Sequence, residues 1–143
     1  MKQSAKYRRI ISIVLLEHQN KQISLQLRDD FKHIRSPNQW GIFGGGMEKG
    51  EDKLTAAIRE VKEELLIECD PEKITVLKSF EVDGALFHLF HYPITDAEMG
   101  TAVIQEGQRI GTFSPEQIQS AEIEGHLVVP HHLEMMRWYW KSR

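Results

Sequence analysis

An α/β fold, with helices on both faces of a mixed sheet in an α/β/α sandwich, is what these 143 residues predict. Three observations point there. Strand-type runs near 8–16, 22–28, 73–82, 85–93 and 107–113 are spread along the whole chain. A helix-period segment near 52–68 interrupts them, and a second helix opens at Pro130. No repeat, low-complexity tract or linker divides the chain, which reads as a single domain over 1–143. That length suffices to bury about two-thirds of the unfolded surface.

The first strand follows Lys2, Lys6, Arg8 and Arg9 and runs through Ile10-Ile11-Ser12-Ile13-Val14-Leu15-Leu16. Basic residues before an apolar run mimic a secretory leader. This run, however, is short, ends at Glu17 and lacks a small-residue cleavage site, so a buried strand is expected and no targeting signal. After the strand near 22–28, a strand and loop pass through Trp40 to Gly46. Strands near 73–82 and 85–93 flank Asp83-Gly84, a tight-hairpin signal. Ser114-Pro115-Glu116-Gln117 supplies an N-cap, an N1 proline and a capping-box glutamine for a short helix. The last helix, from Pro130 to about Trp140, carries Met135, Met136, Trp138, Tyr139 and Trp140. These could form a homodimer contact, but docking of the helix on the sheet explains the spacing better.

Composition narrows the partners. A net charge of −3 argues against a nucleic-acid-coating protein. No run approaches the length of a membrane span. Cys69 is the only cysteine, so no intrachain disulfide can form, which fits a reducing cytoplasm; it reads as an inert thiol near a helix end.

The chemistry concentrates between Gly44 and Ile67. From Leu54 the apolar residues Leu54, Ala57, Ile58, Val61 and Leu65 fall on one helical stripe. Glu60, Glu63 and Glu64 share a second face. Packing the stripe on a sheet would leave these acids at its rim. Their mutual repulsion would be relieved by a divalent cation, which takes oxygen ligands. Upstream, Gly44-Gly45-Gly46 permits close backbone approach, with carbonyls available to a metal and N–H groups to phosphate. Taken alone, the glutamates could equally be a solvated face.

The spacing decides between these readings. The segment resembles the Nudix box, G-x5-E-x7-R-E-U-x-E-E-x-G-U, where U is a bulky aliphatic residue. Gly45, Glu51, Arg59, Glu60, Val61, Glu63, Glu64 and Ile67 match it, and Leu66 replaces the final glycine. The resemblance implies the same α/β/α sandwich and hydrolysis of a nucleoside diphosphate linked to another group. It implies Glu60, Glu63 and Glu64 as ligands for Mg²⁺ or Mn²⁺, with Glu63 or Glu64 also a candidate for activating water. The Gly44 carbonyl is implied as a further ligand. Arg59 and Glu51 resemble the family's structural ion pair, which with Gly45 supports the site.

Outside the box, Glu106-Gly107-Gln108 resembles the loop from which relatives supply another acid, which makes Glu106 a further metal ligand or general base. Arg28 matches the place of a phosphate-contacting arginine, although a solvated strand-end charge is the competing reading. Phe43 stands where many relatives have proline, a departure from the mutator-type pattern. Leu66 occupies the position where glycine closes the helix; leucine there is either strained, or the helix runs on towards Pro71. His131 and His132 read as surface histidines at a helix start, and the spacing of His88 and His91 puts them on opposite faces of a strand. A phosphate-loop alternative fails because Met47 follows the glycines where lysine is needed.

The expected substrate is a small-molecule nucleotide, with a nucleoside triphosphate favoured over a nucleotide sugar or dinucleoside polyphosphate. The rival from another class is a non-catalytic nucleotide sensor, which would be expected to have lost box carboxylates.

Overall fold

The computed structural model describes residues 6–143, so Lys2 of the basic N-terminal stretch lies outside the described residues. Along the chain run β1 (Arg9–Glu17), β2 (Ile23–Leu27), β3 (Trp40–Gly41), β4 (Phe43–Gly46), α1 (Lys53–Leu65), β5 (Thr75–Val82), β6 (Ala85–Pro93), α2 (Asp96–Gly100), β7 (Arg109–Phe113), α3 (Pro115–Gln119), β8 (Glu122–Ile123), β9 (His126–Leu127) and α4 (Pro130–Lys141).

β1 is the hub of the main sheet. One edge pairs in parallel with β6 from Arg9↔Ala85 to Glu17↔Pro93. The other edge pairs antiparallel with β4, from Ile11↔Gly46 to Val14↔Phe43, and then with β2 at Leu16↔Ser24. β7 extends the sheet beyond β2, β3 pairs the end of β2 on the edge that β1 also uses, and β5 extends the sheet beyond β6. A helix covers β1 on each face, which explains its near-continuous apolar run. Its alternate residues enter two cores. Ile11, Ile13 and Leu15 pack with Leu133, Met136 and Tyr139 of α4, whereas Val14 and Leu16 pack with Ala57, Val61 and Leu65 of α1. The expected sandwich is therefore present, with one long helix per face.

The local signals behave as their chemistry requires. Asp83 and Gly84 both take positive φ, the conformation of a tight hairpin, and join β5 to β6. Ser114 and Gln117 form the capping box of α3. Met135, Met136 and Tyr139 are buried against the sheet, so the docking role of α4 holds. His88 bonds Ser79 on one face of β6, and His91 bonds Glu17 on the other. Sequence reasoning missed α2, although Thr95 and Glu98 form a complete capping box that could have revealed it. It also missed the small β8–β9 hairpin.

The box helix stops earlier than expected, at Leu65 instead of about 68. Leu66 is the C-cap, with φ 58° and ψ 32°, and its N–H bonds the Lys62 carbonyl. Leucine thus occupies the left-handed position that glycine fills most cheaply, and the helix does not run on to the proline. Its side chain is 54% exposed. Cys69 is buried, and burial pushes its thiol up to about 12, which fits an inert role. Among the described residues no helix is long and apolar enough to cross a membrane.

One buried carboxylate ties β1 to α4 and to β6. Glu17 accepts bonds from His91 (2.8 Å), Tyr139 (2.6 Å) and Arg143 (3.0 Å). Burial alone would push its pKa up. The bonds from His91 and Tyr139, with the Arg143 charge, outweigh burial and hold it at about 2.

Two stability changes follow. Leu66→Gly removes left-handed strain and exposes little extra backbone, so it should raise unfolding stability by roughly 0.5–1 kcal/mol after glycine's added unfolded-state entropy is deducted. Urea denaturation checks this, and a loss of stability would mean the leucine side chain contributes packing that its exposure hides. For Glu17, the folded pKa lies below the unfolded one, so its contribution is complete above about pH 5 and is lost as pH falls towards 2. From pH 7 to pH 3 the unfolding free energy should fall about 2 kcal/mol more in the wild type than in Glu17→Gln, with pH 4 between the two. Equal falls would remove Glu17 from the acid response.

Candidate active site

Gly44 to Gly46 lie on β4, directly against the first half of β1, and α1 follows after a short loop. Gly44 has φ 145°, and a Cβ there would lie 2.2 Å from the Ser12 carbonyl oxygen. Only glycine allows β4 to approach β1 so closely while turning towards the helix. At Gly45, a Cβ would lie 2.4 Å from Oε1 of Glu60. The box glycine is therefore the space in which the Glu60 carboxylate rests.

Arg59 locks this loop to α1. Its Nε and Nη2 donate to the two Glu51 carboxylate oxygens at 2.7 and 2.9 Å, a bidentate pair, and Nη2 also donates to the Gly46 carbonyl at 3.0 Å. Nη1 reaches Glu60 at 2.9 Å and Glu63 at 3.1 Å. Glu51 turns back to accept the Glu48 N–H at 2.9 Å. The bond to Glu51, above all, raises the Arg59 pKa, so its charge is permanent.

Glu64 is only 3% exposed, and it accepts the Gly44 N–H at 2.9 Å. That amide is therefore committed to a carboxylate and is not a free phosphate donor, contrary to the expectation for the glycine turn. Burial, and then the charges of Glu60 and Glu106, push the Glu64 pKa well above the usual carboxylate range. Burial also raises Glu60, with Arg59 opposing and Glu63 and Glu106 adding to it.

Glu106 reaches this group because its loop is tied to the end of α1. The Val103 N–H donates to the Leu65 carbonyl and the Gln105 N–H to the Glu64 carbonyl, both at 2.9 Å. These carbonyls are orphans of the helix terminus, and satisfying them sets the loop in register with the box. Gln26 holds the Glu106 carbonyl at 3.1 Å, and Asp29 accepts the Gly107 N–H at 3.0 Å. Gly107 has φ 89°, and a Cβ there would run into Gln26, so the turn requires glycine.

Gly44, Gly45, Glu60, Glu64, Glu106 and Arg28 all line one cleft of about 620 Å³. Arg28 follows β2; its Nε donates to the Arg35 carbonyl at 2.8 Å. Burial lowers its pKa, against the opposing charges of Glu64, Asp29 and Glu106. Glu63 does not line the cleft: half-exposed, it is turned to Arg59. His132 corrects the surface reading. It is 6% exposed, lines the cleft, and its Nδ1 accepts the Ile42 N–H at 3.0 Å, fastening α4 to the strand that leads into the glycines. Burial lowers its pKa well below the ordinary value, so it stays neutral, as that acceptor role demands. No sequence signal marked it, because the bond crosses from residue 132 to residue 42.

The donor set suits a hard divalent cation, since every candidate ligand is an oxygen and Glu64 is a buried acid whose one bond is to a neutral amide. Among the described residues no three acids, cysteines or histidines stand ready to hold an ion as they are. Glu60 and Glu63 are held by Arg59.

A second constellation is disqualified by burial. Asp96, His18 and Ser24 form a chain at 2.9 and 2.8 Å that resembles a nucleophilic triad. Ser24 is 1% exposed and also bonds Thr112 at 2.7 Å, so its hydroxyl is inaccessible to any substrate. The chain fastens the β1–β2 turn to α2.

Comparison with known proteins assigns the family. A relative from Escherichia coli, dihydroneopterin triphosphate diphosphatase, is 32% identical over 97 residues, covering 62% of this chain and 61% of its own. Another from the same organism, CTP pyrophosphohydrolase, is 33% identical over 78 residues, covering 54% and 57%. The chain thus spans about six-tenths of the length of the curated relatives it matches. The crystal structure of a MutT protein from Methanosarcina mazei Go1 shares the fold with a TM-score of 0.73 at 19% identity, covering 94% of each chain. The NUDIX domain model matches residues 6–139. With box, fold and family model in agreement, the chain belongs to the NUDIX family.

Proposed function

We propose that this protein is a divalent-metal-dependent hydrolase of phosphoanhydride bonds, acting on a nucleoside diphosphate linked to a further group. A nucleoside triphosphate is the favoured substrate, and a nucleoside monophosphate and pyrophosphate are the products. The observation that carries this reading is Glu64, a buried carboxylate bonded to one backbone amide and crowded by Glu60 and Glu106 in a cleft shared with Arg28. A buried acid without a counter-charge in contact is costly, and a cation at the cleft offsets that cost. The two relatives' names both denote triphosphate substrates, which supports the choice of substrate class.

Glu60, Glu64 and Glu106, with the Gly44 carbonyl, would hold Mg²⁺ or Mn²⁺, and Glu63 would join once turned from Arg59. Bound there, such a cation would supply polarisation of phosphate oxygens and a more acidic water. Arg28 orients the phosphate chain against the carboxylates and neutralises charge that develops as the anhydride bond breaks. A glutamate within reach of the attacking water, Glu63, Glu64 or Glu106, takes its proton. Arg59 and Glu51 act by position only, holding the loop and helix in register.

A panel of nucleoside triphosphates, nucleotide sugars and dinucleoside polyphosphates, assayed with and without Mg²⁺, tests this. At least one should turn over only with metal, and Glu64→Gln should lower kcat at least about 100-fold. Tight nucleotide binding without turnover of any panel member would leave a nucleotide sensor as the reading. Gly45→Ala should displace the Glu60 carboxylate and cost about 10- to 100-fold in activity. Full activity of that variant would remove Glu60 from the site as drawn.

A further inference from the structure

The cleft has a second end at which arginines outnumber the lining acids Asp29 and Asp83. Arg59, Arg109, Arg137 and Arg143 each stand within 4 Å of a carboxylate. Arg8, Arg9, Arg28 and Arg35 make no such pair among the described residues, and all of them line the cleft that holds Glu60, Glu64 and Glu106. Residues 1–5 contain no acid that could pair with them. Arg28 stands at the junction, bonded to the Arg35 carbonyl and close enough to Glu64 and Glu106 to feel their charge. Arg8 is fixed by its bond to the Asp83 carbonyl, a neutral acceptor, at 2.7 Å. Arg9 is half-buried, and after burial itself the guanidinium groups of Arg35, Arg8 and Arg28 lower its pKa. Like charges are thus gathered against their own repulsion, around one half-buried member.

Distance separates this cluster from the carboxylates. Ile13 is the register partner of Gly44, and Arg9 lies four residues along β1 from it, on the same face. At the strand rise that is on the order of 13 Å. Ile11 and Phe87 line the cleft between the ends, an apolar floor suited to a nucleoside. Adjacent phosphates of one chain stay together at one end of such a gap, whereas the 5′ and ribose phosphates of a nucleotide lie apart on two sides of the sugar, a span that long arginine side chains can extend.

We propose that Arg8, Arg9 and Arg35 form an anion-binding lobe for a second phosphate on the nucleoside side of the substrate, so that the preferred ligand is a nucleotide phosphorylated on its ribose as well as at its 5′ end. The proposal rests on the reading of the carboxylate end as the site of hydrolysis, but it can be tested without hydrolysis. Guanidinium pairs with phosphate bidentately, which suits an arginine cluster better than it would suit lysines.

The test is calorimetric titration of the metal-free full chain with nucleoside 5′-monophosphates and the corresponding 2′,5′- and 3′,5′-bisphosphates of the four common bases. For at least one base a bisphosphate should bind about 10-fold more tightly than its monophosphate, the scale of one charge-assisted bond. The 2′ and 3′ arms identify which hydroxyl carries the group. Arg9→Gln combined with Arg35→Gln should reduce that ratio to near one, and Arg9→Lys with Arg35→Lys should restore part of it. Thermal unfolding of each variant confirms that it is folded. Equal binding, or no binding, of mono- and bisphosphates by the wild type overturns the lobe, as does a ratio that survives the double glutamine change. A preserved ratio in a protein that hydrolyses nothing with Mg²⁺ would instead overturn the hydrolase reading and leave the lobe standing.

Discussion

The Arg59 guanidinium is the contact through which the rest of the site is organised. One planar group bonds the loop at Glu51 and Gly46 and two successive acids of the helix face, Glu60 and Glu63. Its value lies less in net stability, since partly exposed ion pairs contribute little, than in register. The fork geometry fixes the angle at which the loop enters α1. The angle in turn sets where Gly45 lies under Glu60 and where the Gly44 amide meets Glu64. Loosening that clamp would leave the carboxylates on the helix but no longer opposed to the glycines. The same group restrains two acids of one helix face, so the clamp also keeps mutually repelling carboxylates in place.

Much of this was legible in the sequence because it is local. The helix stripe from Leu54, the Asp83-Gly84 hairpin, the Ser114 capping box and the spacing from Gly45 to Ile67 all express themselves within a few turns of chain. The Arg59–Glu51 pair was legible for the same reason, being eight residues apart with a recognisable spacing. Glu106 was found only through a resemblance of three residues. What puts it beside the box is a pair of backbone bonds from Val103 and Gln105 to helix-end carbonyls, and backbone bonding of that kind leaves no side-chain signature.

The misses have a common physical cause. His132 is polar and adjacent to another histidine, which suggests a surface position; its burial follows from a bond to the Ile42 amide, ninety positions away along the chain. The arginine end of the cleft is similarly dispersed, over the start of β1 and the loop after β2. Leu66 was ambiguous because propensity argues against a left-handed leucine, yet the tertiary demand to end α1 and turn towards Ile67 prevails. In each instance the deciding interaction joins segments that only the completed sheet brings together.

That dependence bears on how the protein comes into being. The β5–β6 hairpin is local and can form early. β1, by contrast, pairs in parallel with β6 across more than half the chain, and such closures are intrinsically slow. Ala85 and Phe87 of β6 line the cleft together with Gly44 to Gly46 of β4, so its full lining does not exist until that closure is complete. A nascent or partly folded chain would thus present its glutamates as an ordinary acidic helix with little power to seize a cation. The completed cleft arrives last, as a sign that assembly has finished.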